Sequence, residues 1–366
     1  MDSLPPELLD FIIDSIDSRI DILSLAGTCQ FFKSILIPLV YDYREITVPY
    51  HSLLIWNWFN NNSTLLRHVR KLRLNHNLRQ LKVPRLLSGM DPTNIVSLER
   101  LEASGRSFLS AMSHMRGLVT LCWDVDWRMN HFDFGGDVRP VLPILHASCP
   151  RLREISIWDS PEGVHEFLGD GGTRHKTISV LRNIETFHYH FLISLESPLP
   201  IPHIIEFVIH NPSLQVFTLN FHHTSISHYE KLADIFLPHL RTFVIIAPYV
   251  SSDVLSAFIT RNRTIECLTL DARSQNGLAS LTEGSLPSLR QFTSHIGSAW
   301  TFVCLTKPPL SHLGGLMTHD FTDLGQCRKA LRAVSGTLKV ITVPSSHFRI
   351  GMWVQEILPH VEVVET

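Results

Sequence analysis

SLQVFTLN, residues 213–220, is the phrase on which the fold turns. Leu214 is followed by two variable residues, then Phe217, one variable residue and Leu219. The apolar–x–apolar end has a period of two, so it reads as a short strand with one buried face. A strand this short buries little alone and needs like neighbours on both sides. The chain supplies them as CPRLREISIWD, LPHLRTFVII and LPSLRQFTSH. Clear copies start at Leu152, Ile184, Leu214, Leu240, Ile265 and Leu289, the first interval being 32 residues and the last 24. Weaker copies start at Val69, Leu98 and Leu118 before these and at Leu310 and Leu338 after them, about eleven in all.

An L-x-x-L-x-L core returning every 20–29 residues or so describes leucine-rich repeats. Several spacings here are longer, so the repeats are irregular and carry insertions. Between the strands lie amphipathic stretches. DVLSAFITRN sets Val254, Leu255, Phe258 and Ile259 on one helical face, and CRKALRAVSG does the same with Ala330, Leu331 and Val334. IPHIIEFVIHNP and PVLPILHASCP are similar, the second disturbed by Pro143. The fold class is therefore α/β: a solenoid over residues 49–366 with parallel strands on its concave face and helices on its convex face, closed by a cap at 351–366. A non-repetitive α/β sheet is the competing architecture.

With 366 residues, 44% hydrophobic and only 18% charged, the chain can bury a long core. Its net charge of −2 gives no bulk attraction to nucleic acid or to an anionic membrane. The six cysteines are scattered, with no CxxC pair, so neither a zinc site nor a disulfide framework is signalled. MDSLPPELLD has no basic start or apolar run of a signal peptide, and no run reaches the ~18 apolar residues of a membrane helix. The expectation is a soluble intracellular protein, cytoplasmic or nuclear.

Residues 1–48 leave the repeat. LPPELLDFIIDSI opens a helix on two prolines, where a missing N–H costs nothing, with Glu7 and Asp10 in its first turns. Leu8, Leu9, Ile12, Ile13 and Ile16 form a stripe too broad for one small partner helix. RIDILSLAGTC and QFFKSIL read as two further helices. So small a domain is marginal alone, and its spare apolar faces suit docking. Leu4-Pro5, Glu7-Leu8-Leu9, Ile12-Ile13, Asp21-Ile22-Leu23-Ser24-Leu25, Cys29 and Phe32 together resemble an F-box. Tyr41 or Tyr43 stands where that family commonly has tryptophan, and SIDSRID is a variant of its first turn.

The resemblance implies a Skp-type adaptor as partner, joined to a cullin scaffold carrying a ubiquitin-conjugating enzyme. The repeats would hold an unknown protein to be ubiquitinated, and the chain itself would catalyse nothing. It implies that Leu4, Pro5, Leu8, Leu9, Ile12, Ile13, Leu23, Leu25 and Phe32 face the adaptor or support that face, the other reading being the module's own three-helix core. A repeat scaffold acting outside ubiquitin ligation is the alternative function. EITV reads as a first strand and HSLLIWNWF as a helix with Leu54 and Trp58 inward, stopped by Asn60, Asn61 and Asn62. With no Gly/Ser linker, module and solenoid are expected to pack rigidly.

Strand neighbours alternate, so residues between the buried apolars should form the cargo face. These are Lys71, Arg73 and Asn75; Thr120 and Asp124; Glu154, Ser156 and Trp158; His188 and His190; Thr218 and Asn220; Thr269 and Asp271; Thr293 and His295. Trp158 is the anchor candidate, unless the 159–177 loop covers it. A second loop is expected within 125–150. GDGGTRHKT, residues 169–177, lacks the glycine before lysine of a phosphate loop. His188 and His190 share a strand face, and His222, His223 and His228 cluster, but none has a cysteine or carboxylate at ligand spacing. No nucleophile elbow or kinase loop occurs, so no cofactor, metal or catalytic residue is expected.

Overall fold

The computed structural model describes residues 5–37, 39–49, 52–75, 98–124, 141–159, 181–191, 201–221, 229–247, 250–271, 280–294, 298–315, 324–343 and 348–365. The chain divides into two compact units, Met1–Ile184 and Glu185–Thr366. Leu4, His222, His223, His228, His295 and most of the two expected loops, with the glycine-rich stretch 169–177, lie outside the described residues.

The first unit opens with three helices, α1 (Pro6–Ser15), α2 (Arg19–Ala26) and α3 (Gln30–Leu36). Pro6 stands at the start of α1, and the Ser18 hydroxyl caps α2 by accepting the Asp21 N–H. Leu9, Ile13, Ile22, Ala26, Phe32, Leu36 and Val40 close into one buried cluster. Next come β1 (Glu45–Val48), α4 (Leu53–Asn61), the short α5 (Ser63–Leu66), β2 (Lys71–Asn75), α6 (Leu98–Met112), β3 (Thr120–Asp124), α7 (Val141–Ser148) and β4 (Glu154–Asp159). The four strands pair in parallel, with Ile46 opposite Leu72, Leu72 opposite Leu121, and Leu121 opposite Ile155.

Two expectations are corrected in this unit. The copy at Leu98 is not a strand: LERLEAS begins α6. Phe108, Ala111 and Met112 are buried there at helical spacing, and an L-x-x-L opening serves either period until the residues after it decide. On α4, Leu54 faces solvent and Trp58 is half-buried, while Ile55, Trp56 and Phe59 turn inward. Trp56 meets Phe108 with ring centroids 4.9 Å apart. Asn62 ends α4 as its composition suggested, donating its side-chain N–H to Trp58 O at 2.9 Å. Pro143 is tolerated as the third residue of α7, where its missing N–H has no helical partner in any case.

The second unit contains β5 (Thr186–Phe191), α8 (Ile201–Ile209), β6 (Val216–Phe221), β7 (Thr242–Ile246), α9 (Ser252–Arg261), β8 (Cys267–Asp271), β9 (Gln291–Ser294), α10 (Ser298–Thr306), β10 (His312–Gly314), α11 (Leu324–Val334), β11 (Val340–Val343), α12 (Phe348–Ile357) and β12 (Glu362–Glu365). Each strand pairs in parallel with the next. The buried row runs Phe187, Phe217, Phe243, Leu268, Phe292, Leu313, Ile341 in register. Helices cover it: Phe207 of α8, Phe258 of α9 and Phe302 of α10 lie 4.4 to 4.6 Å, centroid to centroid, from Phe187, Phe243 and Phe292. Each such ring contributes about 1.5–3 kcal/mol by burial.

At most of the described strand entrances two successive amides share one carbonyl of the coil before. Arg241 and Thr242 N–H both donate to Gln215 O at 2.8 and 2.9 Å; Glu266 and Cys267 do so to Arg241 O at 2.7 and 2.9 Å. The same pattern recurs in the first unit, where Val119 and Thr120 donate to Arg70 O at 2.8 and 2.9 Å. Parallel strands taken in sequence order, with helices on the Phe-bearing side, make this an α/β leucine-rich-repeat solenoid fold.

Candidate functional site

The α1 stripe divides in two. Leu9 and Ile13 enter the three-helix cluster, while Leu8 and Ile12 stay exposed, at 51% and 41%. Phe11, 73% exposed, completes an i, i+3, i+4 ridge with them. On α2, Ile22 is buried and Leu25 packs partly against the cluster, but Leu23 and Ile20, three residues apart, remain outside. On α3, Phe32 is buried and Phe31 sits edge-on to it in solvent at 5.7 Å. Pro5 is exposed. Thus Leu9, Ile13 and Phe32 support the module from within, while Pro5, Leu8, Ile12 and Leu23 lie on its exposed surface. Phe11, Ile20 and Phe31 join the surface unforeseen. The signal for Phe11 was the near-continuous apolar run 8–13, more than one buried face can take.

Opposite this surface, the carboxyl end of α1 is held by arginines from the strands. The last turn of α1 carries no basic residue, so its negative dipole end is neutralised from outside. Arg44, wholly buried before β1, donates to Ile13 O and to His68 O. Arg70, before β2, donates to Asp14 O at 2.8 Å, Asp17 Oδ1 at 3.0 Å and Arg67 O at 2.7 Å. Arg151, before β4, reaches Asp14 O at 2.7 Å and Asp17 Oδ1 at 2.8 Å. Gly117 leaves room: a methyl there would overlap the Arg70 guanidinium and the Arg67 carbonyl. Burial, then repulsion by Arg70, pulls Arg44 down to about 10. Burial, then Arg67, pulls His68 down to about 4. His68 Nε2 accepts the Arg67 Nε–H at 3.4 Å, which puts the ring proton on Nδ1, 3.5 Å from Asp14 Oδ1.

The strands present a second surface on the side away from the helices. In the first unit its rows are Glu45, Lys71, Thr120, Glu154; Thr47, Arg73, Cys122, Ser156; and Asn75, Asp124, Trp158. Arg73 is exposed, and Trp158 is 38% exposed beside Asp124. In the second unit one row runs Thr186, Val216, Thr242, Cys267, Gln291, His312, Val340. The next runs His188, Thr218, Val244, Thr269, Thr293, Gly314, Thr342, and a third begins His190, Asn220, Ile246. Asp271 follows in that third row by register, but its side chain lies outside the described residues.

Short side chains in these rows are not all open. Asn75, Thr120, Ser156 and Thr218 are buried, Thr120 donating to Glu154 Oε2 at 2.9 Å and Thr218 lying 2.9 Å from His188 Nδ1. His190 Nδ1 takes an N–H from Asn220 at 3.4 Å, and His312 Nε2 meets Thr342 Oγ1 at 3.0 Å. These histidines thus bond across the strands, and among the described residues no group of three or more His, Cys, Asp or Glu could hold a metal. Burial pushes the Cys149 thiol up to about 12 and raises Cys122, so both stay protonated. No described helix is long and apolar enough to cross a membrane.

No protein-family model matches the chain, and no curated protein matches it. Among solved structures it is similar to the leucine-rich repeat-containing protein LegL7 from Legionella pneumophila, 12% identical, covering 81% of this chain and 82% of that one with a TM-score of 0.43. It is also similar to a chain of the Rad7 and Elc1 complex in yeast, 10% identical, covering 85% of this chain and 81% of that one with a TM-score of 0.38. The strand ladder itself carries the fold.

Proposed function

We propose that the chain is a substrate-recognition subunit of a cullin-type ubiquitin ligase. Its helical module docks a Skp-type adaptor, and its strand faces hold the protein to be ubiquitinated. One observation carries this reading: a module with its own closed core still exposes Leu8, Phe11, Ile12, Ile20, Leu23 and Phe31. Apolar side chains grouped this way on a small domain mark a docking surface. The chain forms and breaks no bond in this role; it raises the local concentration of cargo beside a charged enzyme.

Capture on purified Skp-type adaptor tests it. Wild type binds, and Leu8→Asp weakens binding by at least about 30-fold, the scale of a central interface anchor. Its melting curve stays unchanged, because Leu8 supports none of the core. Wild type that fails to bind defeats the proposal. Wild type that binds yet supports no ubiquitin transfer in a reconstituted ligase favours a scaffold outside ubiquitin ligation.

A further inference from the structure

We infer that the open strand face of the second unit is the contact core for an extended, uncharged segment of the partner protein. This deepens the cargo-receptor reading and rests on it. Across β5 to β11, neither of the two rows that run the whole length carries Asp, Glu, Lys or Arg, although 18% of the chain is charged; Asp271 stands in the short third row. Except for Thr218 and Gly314, all residues of the two long rows are partly or fully exposed. A solvent face of ordinary composition would be about 25–35% charged. Charge is instead concentrated in the residues that immediately precede the strands: Glu185, Arg241, Glu266, Arg290 and Lys339. Arg241 and Glu266 pair there at 3.6 Å with both side chains largely in solvent.

An uncharged centre bordered by solvated charge is the composition of a protein interface, whose core is depleted of charged residues and whose rim is polar. The dimensions narrow the occupant. At about 4.8 Å per strand the rows run about 30 Å, while two residues along a strand separate them by only about 7 Å. A helix about 10–12 Å across would overhang the two long rows, onto the charged border or onto the row that holds Asp271. One extended chain fits, and about nine residues cross the band. Val244 and Ile246 supply apolar contact at its middle. Threonines, Asn220 and Gln291 supply hydroxyl and amide groups for uncharged polar side chains. A charged side chain laid on the two long rows would lose hydration with no opposite charge within them to meet it.

Labelled synthetic peptides of about nine residues, titrated into the full-length chain and read by anisotropy, test this. One set contains only Ser, Thr, Asn, Gln, Val and Ile; parallel sets carry Asp or Lys substitutions. The neutral set is expected to contain binders whose affinity changes less than about 2-fold between about 50 mM and 500 mM salt. Charged counterparts should bind at least about 10-fold more weakly. Val244→Asp, and independently Thr293→Lys on another strand, should each weaken the neutral peptides at least about 10-fold, while Arg241→Ser on the border changes them less than about 3-fold. Best binding by acidic or basic peptides, no neutral binder, or indifference to both face variants overturns the inference. Adaptor capture is measured on the same samples. Adaptor binding without neutral-peptide binding sinks this inference alone; peptide binding without adaptor binding sinks the ligase reading alone.

Discussion

Replacing Arg70 by methionine should loosen the helical module from the strands without touching the second unit. The guanidinium is nearly inaccessible, and it is shared among Asp14, Asp17 and the Arg67 carbonyl. The loss is smaller than for a wholly buried pair. Asp14 and Asp17 are 40% and 47% exposed and regain water, so their share is about 0.5–1 kcal/mol. Asp14 O keeps its bond from Arg151. The Arg67 carbonyl loses a short bond in a closed site, about 1–3 kcal/mol. Removing one of three clustered cations relieves Arg44 and Arg151 and returns part of this. The net is about 2–3 kcal/mol, or about a 30- to 150-fold faster exchange of α1 amides by local opening. Hydrogen exchange read by peptide is the assay. Asp17→Asn should be non-additive with Arg70→Met by about 0.5 kcal/mol or more, since Asp17 also accepts from Arg151. Unchanged α1 exchange, or equal acceleration in β5–β12, would refute the account of the joint.

The pH dependence follows from His68. Its folded pKa of about 4 lies below the unfolded 6.5, so between these values the unfolded state binds the extra proton. Stability is therefore full above pH 6.5 and falls as pH drops toward about 4, by up to about 3 kcal/mol; His68→Leu should flatten that slope in urea titrations across the window. Asn262, wholly buried, accepts the Leu237 N–H at 2.7 Å and donates to Ile235 O and Phe258 O. Asn262→Leu should cost about 3 kcal/mol, and an unchanged melting temperature would show these bonds to be idle. Phe217→Ala removes a ring between Phe187 and Phe243, 6.3 and 5.7 Å away, and should cost about 3–5 kcal/mol in urea unfolding of the second unit. Any value under about 1 kcal/mol would mean that the stack relaxes to fill the gap.

The strand phrase was legible because the side-chain period of a half-buried strand leaves few other readings. Leu152, Ile184, Leu214, Leu240, Ile265, Leu289, Leu310 and Leu338 each stand just before a strand. It failed at Leu98, where leucines three apart suit a helix equally well. On α4, period alone left the rotation undecided, and Trp56 rather than Leu54 took the core because Phe108 of α6 waits there. The spare apolar surface of α1–α3 was readable as an excess of leucine, isoleucine and phenylalanine over what two small helices can cover. The arginine joint was not. Arg70 and Arg151 converge on Asp14 and Asp17, and Arg44 on Ile13, from distant points in the chain, and a linear pattern carries no trace of that meeting. The bare row on β5–β11 was in the same position: each strand shows only two or three face residues, and the missing charge emerges when the register lines them up.

The paired amides that begin most of the coils have a consequence for how such a molecule changes over generations. Because main-chain groups tie one coil to the next, the side chains of the exposed rows are spared most of the work of alignment. Substitutions there can redraw what the protein recognises while leaving its frame in place. The Phe-bearing rows and the arginines under α1 have no such liberty, and drift should be slowest where those groups lie.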